Sequence, residues 1–183
     1  MEHLDLLQKI PEPLLAWYGG QARSLPWRDN PEPYRVWVSE IMLQQTRVEA
    51  VKPYYARFLE ALPTLEALAA APEDQLMKLW EGLGYYSRVR NMQKAARQAL
   101  EQYGGLPASL EELRKLPGIG DYTAGAVASI AFGLPVPAVD GNVLRVAARL
   151  TNSRDDVLSP AVKRQVENAL RGVIPPGRAG DFN

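Results

Sequence analysis

Apolar residues recur at three- and four-residue spacing along most of the chain, and no alternating pattern persists for more than a few positions. The pattern predicts an all-α fold. Pro135-Val136-Pro137-Ala138-Val139 has strand-like composition, but its two prolines disqualify it. Helices are expected over Pro13–Gly19, Pro33–Gln44, Arg47–Leu62, Leu65–Ala70, Glu73–Trp80, Tyr86–Tyr103, Leu110–Leu116, Tyr122–Phe132, Gly141–Leu150 and Pro160–Arg171. Thr46-x-x-Glu49 and Ser109-x-x-Glu112 have the form of capping boxes, and Ser159 before Pro160 places a cap ahead of a proline at the first helical position. Pro53 should interrupt its helix and kink it. The closing Arg178–Asn183 segment offers no helix. Short Gly- and Pro-rich connectors join the helices, without low-complexity linkers or a fixed repeat.

At 183 residues and 46% hydrophobic content the chain can bury a real core as one domain, or as two small lobes sharing a cleft. No run approaches the roughly 18 to 20 apolar residues of a membrane helix, and Met1-Glu2-His3-Leu4-Asp5 is too acidic for a secretory leader. The expected location is therefore the cytoplasm. With no cysteine and one histidine, His3, the chain offers neither a disulfide nor a thiolate metal site, so its chemistry must come from carboxylates, hydroxyls and backbone. The 21 basic residues balance 21 acidic ones, which gives no overall basic footprint for nucleic acid. Local asymmetry permits one basic face: Arg88, Arg90, Lys94 and Arg97 fall between Gly82 and Leu100 without an acid. A solvated helix flank would look the same.

Three features could carry chemistry. Leu116-Pro117-Gly118-Ile119-Gly120 lies between two helical segments, where closely spaced glycines and a following helix start present backbone N–H groups to an anion such as a DNA phosphate. Taken alone it reads equally well as a glycine-rich helix link. Asp140 precedes the helical spacing of Gly141-Asn142-Val143-Leu144-Arg145 and so reads as an N-cap, a fixed negative charge at neutral pH; a lone aspartate there could be purely structural. Glu40 has Val36, Trp37, Leu43 and Gln44 as helical neighbours, so its carboxyl faces an apolar environment that favours the protonated form. It could equally be a surface glutamate, or one paired with Arg28 or Arg47. Glycosidic cleavage uses one carboxyl that protonates the leaving group and another that stays charged beside the oxocarbenium-like sugar, roles that Glu40 and Asp140 would fill.

At this point the sequence resembles the helix-hairpin-helix DNA glycosylases, in the spacing from Leu116–Gly120 to Asp140, and within them the adenine glycosylases of the MutY family. The blocks that carry this likeness are Leu25-Pro26-Trp27-Arg28, Val36–Thr46, Trp80–Arg88 and Val139–Val143, and it extends from Leu14 to Asn183. The resemblance implies two helical lobes flanking a cleft, the central one about residues 24–134 and the second from 1–23 plus 135–183, the latter truncated. It implies that Glu40 protonates a flipped adenine at N7 and later manages water, that Asp140 stabilises the sugar cation, and that Tyr122 and Asn142 stand nearby. Trp27, Arg28, Leu43 and Val48 would line the adenine pocket. Gln45, Thr46, Leu83 and Tyr85 would enter the duplex and contact the opposite base, with Gln44, Arg88, Leu116, Gly118 and Gly120 also on the DNA side.

Tyr122 stands where strand-cutting relatives carry a Schiff-base lysine, so the expected enzyme is a monofunctional hydrolase acting on adenine opposite 8-oxoguanine or guanine. The expected partner is double-stranded DNA with such mispairs, met by a monomer in the bacterial cytoplasm. The resemblance further implies a 4Fe-4S cluster on four cysteines and an 8-oxoguanine-recognition domain, both outside these residues. The competing readings are a non-catalytic DNA-binding module, a glycosylase/lyase for oxidised pyrimidines, and a purely structural helical domain.

Overall fold

The computed structural model describes residues 1–183, and all of its regular elements are helices. A 3-10 turn over Leu4–Lys9 leads into α1 (Pro11–Gln21), α2 (Pro26–Asp29), α3 (Pro33–Leu43), α4 (Val48–Ala61), α5 (Leu65–Ala70) and α6 (Glu73–Trp80). There follow α7 (Ser87–Tyr103), α8 (Leu110–Leu113), α9 (Asp121–Ile130), α10 (Gly141–Leu150), α11 (Pro160–Arg171) and α12 (Ala179–Phe182). All ten expected helices form, five with ends shifted by one to three residues, and α1 reaches two residues further at each end.

Several local expectations need correction. Thr46 does not cap α4: the helix starts at Val48, and the Thr46 hydroxyl turns back to the Gln44 carbonyl because Gln45 between them is left-handed (φ 58°). Pro53 sits inside α4 without ending it. One missing N–H is outweighed by burial of Val51, Tyr55 and Phe58 along the same face. The closing segment does form a helical turn, α12, because Ala179 and Phe182 bury their side chains. Ser159 makes no side-chain cap bond, whereas Ser109 accepts from the Glu112 N–H as expected, and Thr64 caps α5 through the Ala67 N–H.

Burial divides into two clusters. The larger gathers 28 buried residues from Leu25 to Ala128 around Trp37, Phe58 and Trp80, with α3 at its centre, packed against α2, α4 and α9. The smaller joins Leu7 to Val139, Leu144, Val166, Leu170 and Phe182, so residues from the start of the chain pack with residues from its last third. The Met1 ammonium reaches across to Gln165 and Asp155. Extended residues 135–139 connect the clusters and pass so close to α9 that a Cβ on Gly125 would lie 2.6 Å from the Pro137 carbonyl oxygen. No helix is long and apolar enough to cross a membrane.

Candidate active site

Three elements bring the carboxyl chemistry together. Glu40 projects from the buried face of α3, Tyr122 lies in the first turn of α9 against it, and Asp140 caps α10 at the end of the extended segment. Beside them a cavity of about 510 Å³ opens, within the roughly 300–1,000 Å³ usual for small-molecule sites. Its walls include Trp27, Arg28, Leu43 and Val48, with Glu40 and Tyr122 as well. The sequence missed the opposite wall, formed by Leu14, Trp17 and Tyr18 of α1 together with Phe182 and Asn183. Trp17 stands 61% exposed there, and nothing in its sequence spacing marked it for this wall.

Glu40 is only 9% exposed and pairs with no cation. Arg28 is occupied elsewhere, donating to the Arg23 carbonyl and lying 5.5 Å from the Tyr18 ring centre. Burial pushes the Glu40 carboxyl from 4.5 up to about 7; the Tyr122 hydroxyl opposes that rise, the Asp140 charge adds to it, and the more distant Arg28 charge opposes it weakly. Tyr122 is itself shifted upward, by burial first and then by the Glu40 and Asp140 charges, so its phenol keeps the proton and can donate.

Asp140 is held rigidly. Its Oδ1 accepts from the N–H groups of Asn142 and Val143, both at 2.9 Å, and its Oδ2 accepts from the Asn142 side-chain amide at 3.0 Å. Asn142 is fixed in turn by Arg145 at 3.2 Å. The approach to Asp140 is pinned by Asn183, whose amide donates to the Val136 carbonyl and accepts from the Ala138 N–H. Asn142 thus orients Asp140 and does not line the cavity.

The hairpin Leu116–Gly120 runs into α9 with Gly120 at the cap position and no side chain capping the helix. Gly118 is left-handed (φ 77°), and a Cβ there would meet the Asn91 Cβ at 2.9 Å. Leu116 is core, 2% exposed, and contributes only backbone to this turn. Gln44 donates to the Thr123 hydroxyl at 3.4 Å, tying the end of α3 to α9.

Gln45 and Tyr85 both stand exposed on left-handed backbone, Thr46 is half-buried, and Leu83 is packed into the core at 7% exposure. Arg88 is not presented outward, because its guanidinium is taken up by main-chain carbonyls. Arg90 pairs with Glu73 and Arg97 donates to the Ala69 carbonyl. Of the basic run on α7, Arg88 is thus turned inward, Arg90 and Arg97 are engaged by partners at the surface, and Lys94 stands exposed. No group of three or more His, Cys, Asp or Glu side chains could hold a metal ion.

Comparison with known proteins agrees with this geometry. Residues 38–176 match the family described as HhH-GPD superfamily base excision DNA repair protein. Adenine DNA glycosylases from Mus musculus and Homo sapiens are each 46% identical over 93% of this chain, which covers 35% and 33% of their lengths. That of Buchnera aphidicola subsp. Baizongia pistaciae is 45% identical over 93% of this chain and 48% of its own length. The chain therefore spans about a third of the mammalian relatives and about half of the Buchnera one. Among solved structures, a thermostable thymine-DNA glycosylase superposes with TM-score 0.82 at 26% identity, over 98% of this chain and 82% of that one. A trapped endonuclease III–DNA covalent intermediate superposes at 0.79 and 28%, over 100% and 84%.

Proposed function

The chain belongs to the HhH-GPD superfamily of base excision DNA repair proteins, and from that membership we propose that it is a monofunctional glycosylase that removes adenine mispaired with 8-oxoguanine or guanine. The observation that carries the reading is the buried, unpaired Glu40 carboxyl on the cavity wall, raised to about 7, with the anchored Asp140 carboxylate near enough to act on it. Duplex DNA would lie across the cleft between a lobe of about residues 24–134 and one from 1–23 plus 135–183, with the adenine turned out into the cavity.

Protonated Glu40 gives its proton to adenine N7. The C1′–N9 bond then breaks, its electron pair leaving with the neutral base, while Asp140 faces the cationic sugar. Water adds to C1′ and returns a proton to the Glu40 carboxylate, which closes the cycle. Tyr122 stands beside Glu40 on the cavity wall and cannot form an imine with the sugar, and no lysine lines the cavity. Gln45, Thr46, Leu83 and Tyr85 would fill the space the flipped base leaves, which for Leu83 requires it to swing out of the core. The residues present do not suit a 4Fe-4S cluster, because the chain has no thiolate to ligate one.

Single-turnover assays on duplexes holding adenine opposite 8-oxoguanine, adenine opposite guanine, or thymine glycol test the proposal. Adenine release that leaves the strand intact until alkali treatment is expected. Thymine glycol removal, or a borohydride-trapped covalent complex, would move the protein to the lyase class.

A further inference from the structure

Arg88 makes contacts that neither a surface arginine nor a phosphate ligand would make. Its Nη1 donates to the carbonyls of Ile41 at 2.9 Å and Gln44 at 2.7 Å, with Met42 at 3.5 Å, and its Nη2 donates to Leu83 at 3.0 Å and Gly84 at 3.3 Å. The first group is the end of α3, where helix carbonyls lack partners and the dipole is negative. The second is the turn between α6 and α7. The guanidinium lies 5.3 Å from the Trp80 ring centre and 5.7 Å from that of Tyr85, and its buried Nε has no partner.

No carboxylate balances this cation. What its placement achieves is geometric: one planar fork joins Ile41–Gln44 to Leu83–Gly84, segments about forty residues apart in sequence. The residue after the last anchored carbonyl of each group, Gln45 after Gln44 and Tyr85 after Gly84, is a left-handed non-glycine, at φ 58° and 48°. Only two other non-glycine residues of the chain have such a conformation, His3 and Asn152.

We propose that Arg88 is a positioning residue that locks the Gln45 and Tyr85 turns into one unit, so that both side chains engage the opposite base together or not at all. The inference rests on the glycosylase reading above for its meaning, although the locking itself can be measured without DNA. Lysine, a compact ammonium on a flexible stem without the planar fork, cannot join the two turns, and each then opens on its own.

Hydrogen exchange on the 183-residue chain and on Arg88→Lys tests the lock. The Thr46 N–H, bonded to Leu43, and the Leu83 N–H, bonded to Trp80, report the two turns. Both should exchange faster in the variant, by about tenfold or more, while the α9 amides keep their protection. Acceleration at Leu83 alone would overturn the proposal.

A second measurement needs no Arg88 variant. Gln45→Ala, Tyr85→Ala and the double variant are compared for the ratio of adenine release opposite 8-oxoguanine and opposite guanine. Coupled turns predict that the double variant loses no more discrimination than the worse single one, and additive losses refute the coupling. Should the unaltered chain release no adenine, the glycosylase reading fails, and the exchange experiment still decides the lock.

Discussion

Leaving Glu40 buried without a cation gives one carboxyl two opposed consequences. Its folded pKa, about 7, lies above the ordinary 4.5, so the folded state holds the proton more tightly than the unfolded chain. The associated stability is complete below about pH 4.5 and is lost as pH rises through 7, a cost of roughly 3 kcal/mol on the alkaline side. Glu40→Gln should therefore melt higher than the parent at pH 8 and about the same at pH 4, while single-turnover adenine release falls by about 10²–10⁴. Calorimetry at the two pH values checks the first part, and a lower Tm at pH 8 would contradict it. Tyr122→Phe removes a group that holds the Glu40 pKa down, so the alkaline limb of the pH–rate profile should move to higher pH. A limb that stays put would mean the phenol does not act on Glu40. The identity of this glutamate was legible in the Val36–Thr46 block. Its lack of a partner was not, since that depends on Arg28 being drawn away to the Arg23 carbonyl and the Tyr18 ring.

At the level of elements, the hairpin and the extended 135–139 segment place the chemistry, and three glycines separate their effects. Gly118→Ala meets a left-handed backbone, at roughly 1–2 kcal/mol, and the Asn91 side chain as well, so it should lower stability together with duplex affinity. Gly120→Ala finds open space, so the fold should stand while every duplex binds more weakly, whatever its mispair. Thermal melting beside binding to matched and mispaired duplexes distinguishes the two, and a Gly120→Ala loss confined to one mispair would refute phosphate gripping. Gly125→Ala would force the Pro137 backbone off α9 and Asp140 with it. About 1–3 kcal/mol of stability should go, and the maximal rate should drop more than affinity does, as single-turnover titration would show. The caps at Ser109 and Asp140 were readable because the side chain and the N–H that donates to it are neighbours in sequence. Gly125 was not, because what it makes room for lies twelve residues further on, across a change of direction.

Across the whole molecule, the all-helical fold was legible from periodicity, while the use of the charges was not. Four basic residues on α7 suggested an open face, yet Arg88, Arg90 and Arg97 are engaged by carbonyls or Glu73, partners that only tertiary packing brings near. The closing turn was missed because its apolar residues, Ala179 and Phe182, have meaning only against the second cluster. That cluster also sets an order of events. The larger core is drawn from one continuous stretch, Leu25 to Ala128, whereas the smaller one waits for Leu7 to meet residues from Val139 onward and for Asn183 to fasten Val136 and Ala138. Distant closures are slow relative to local ones. In a refolding experiment the buried Trp37 and Trp80 should therefore reach native emission before any adenine-releasing activity returns, and activity appearing in step with the fluorescence would contradict that sequence. The acid would be in place first and its counter-charge last, so a chain still being synthesised would pass through a stage with Glu40 already buried, the cavity wall of α1 and Phe182 still unbuilt, and no means of releasing a base.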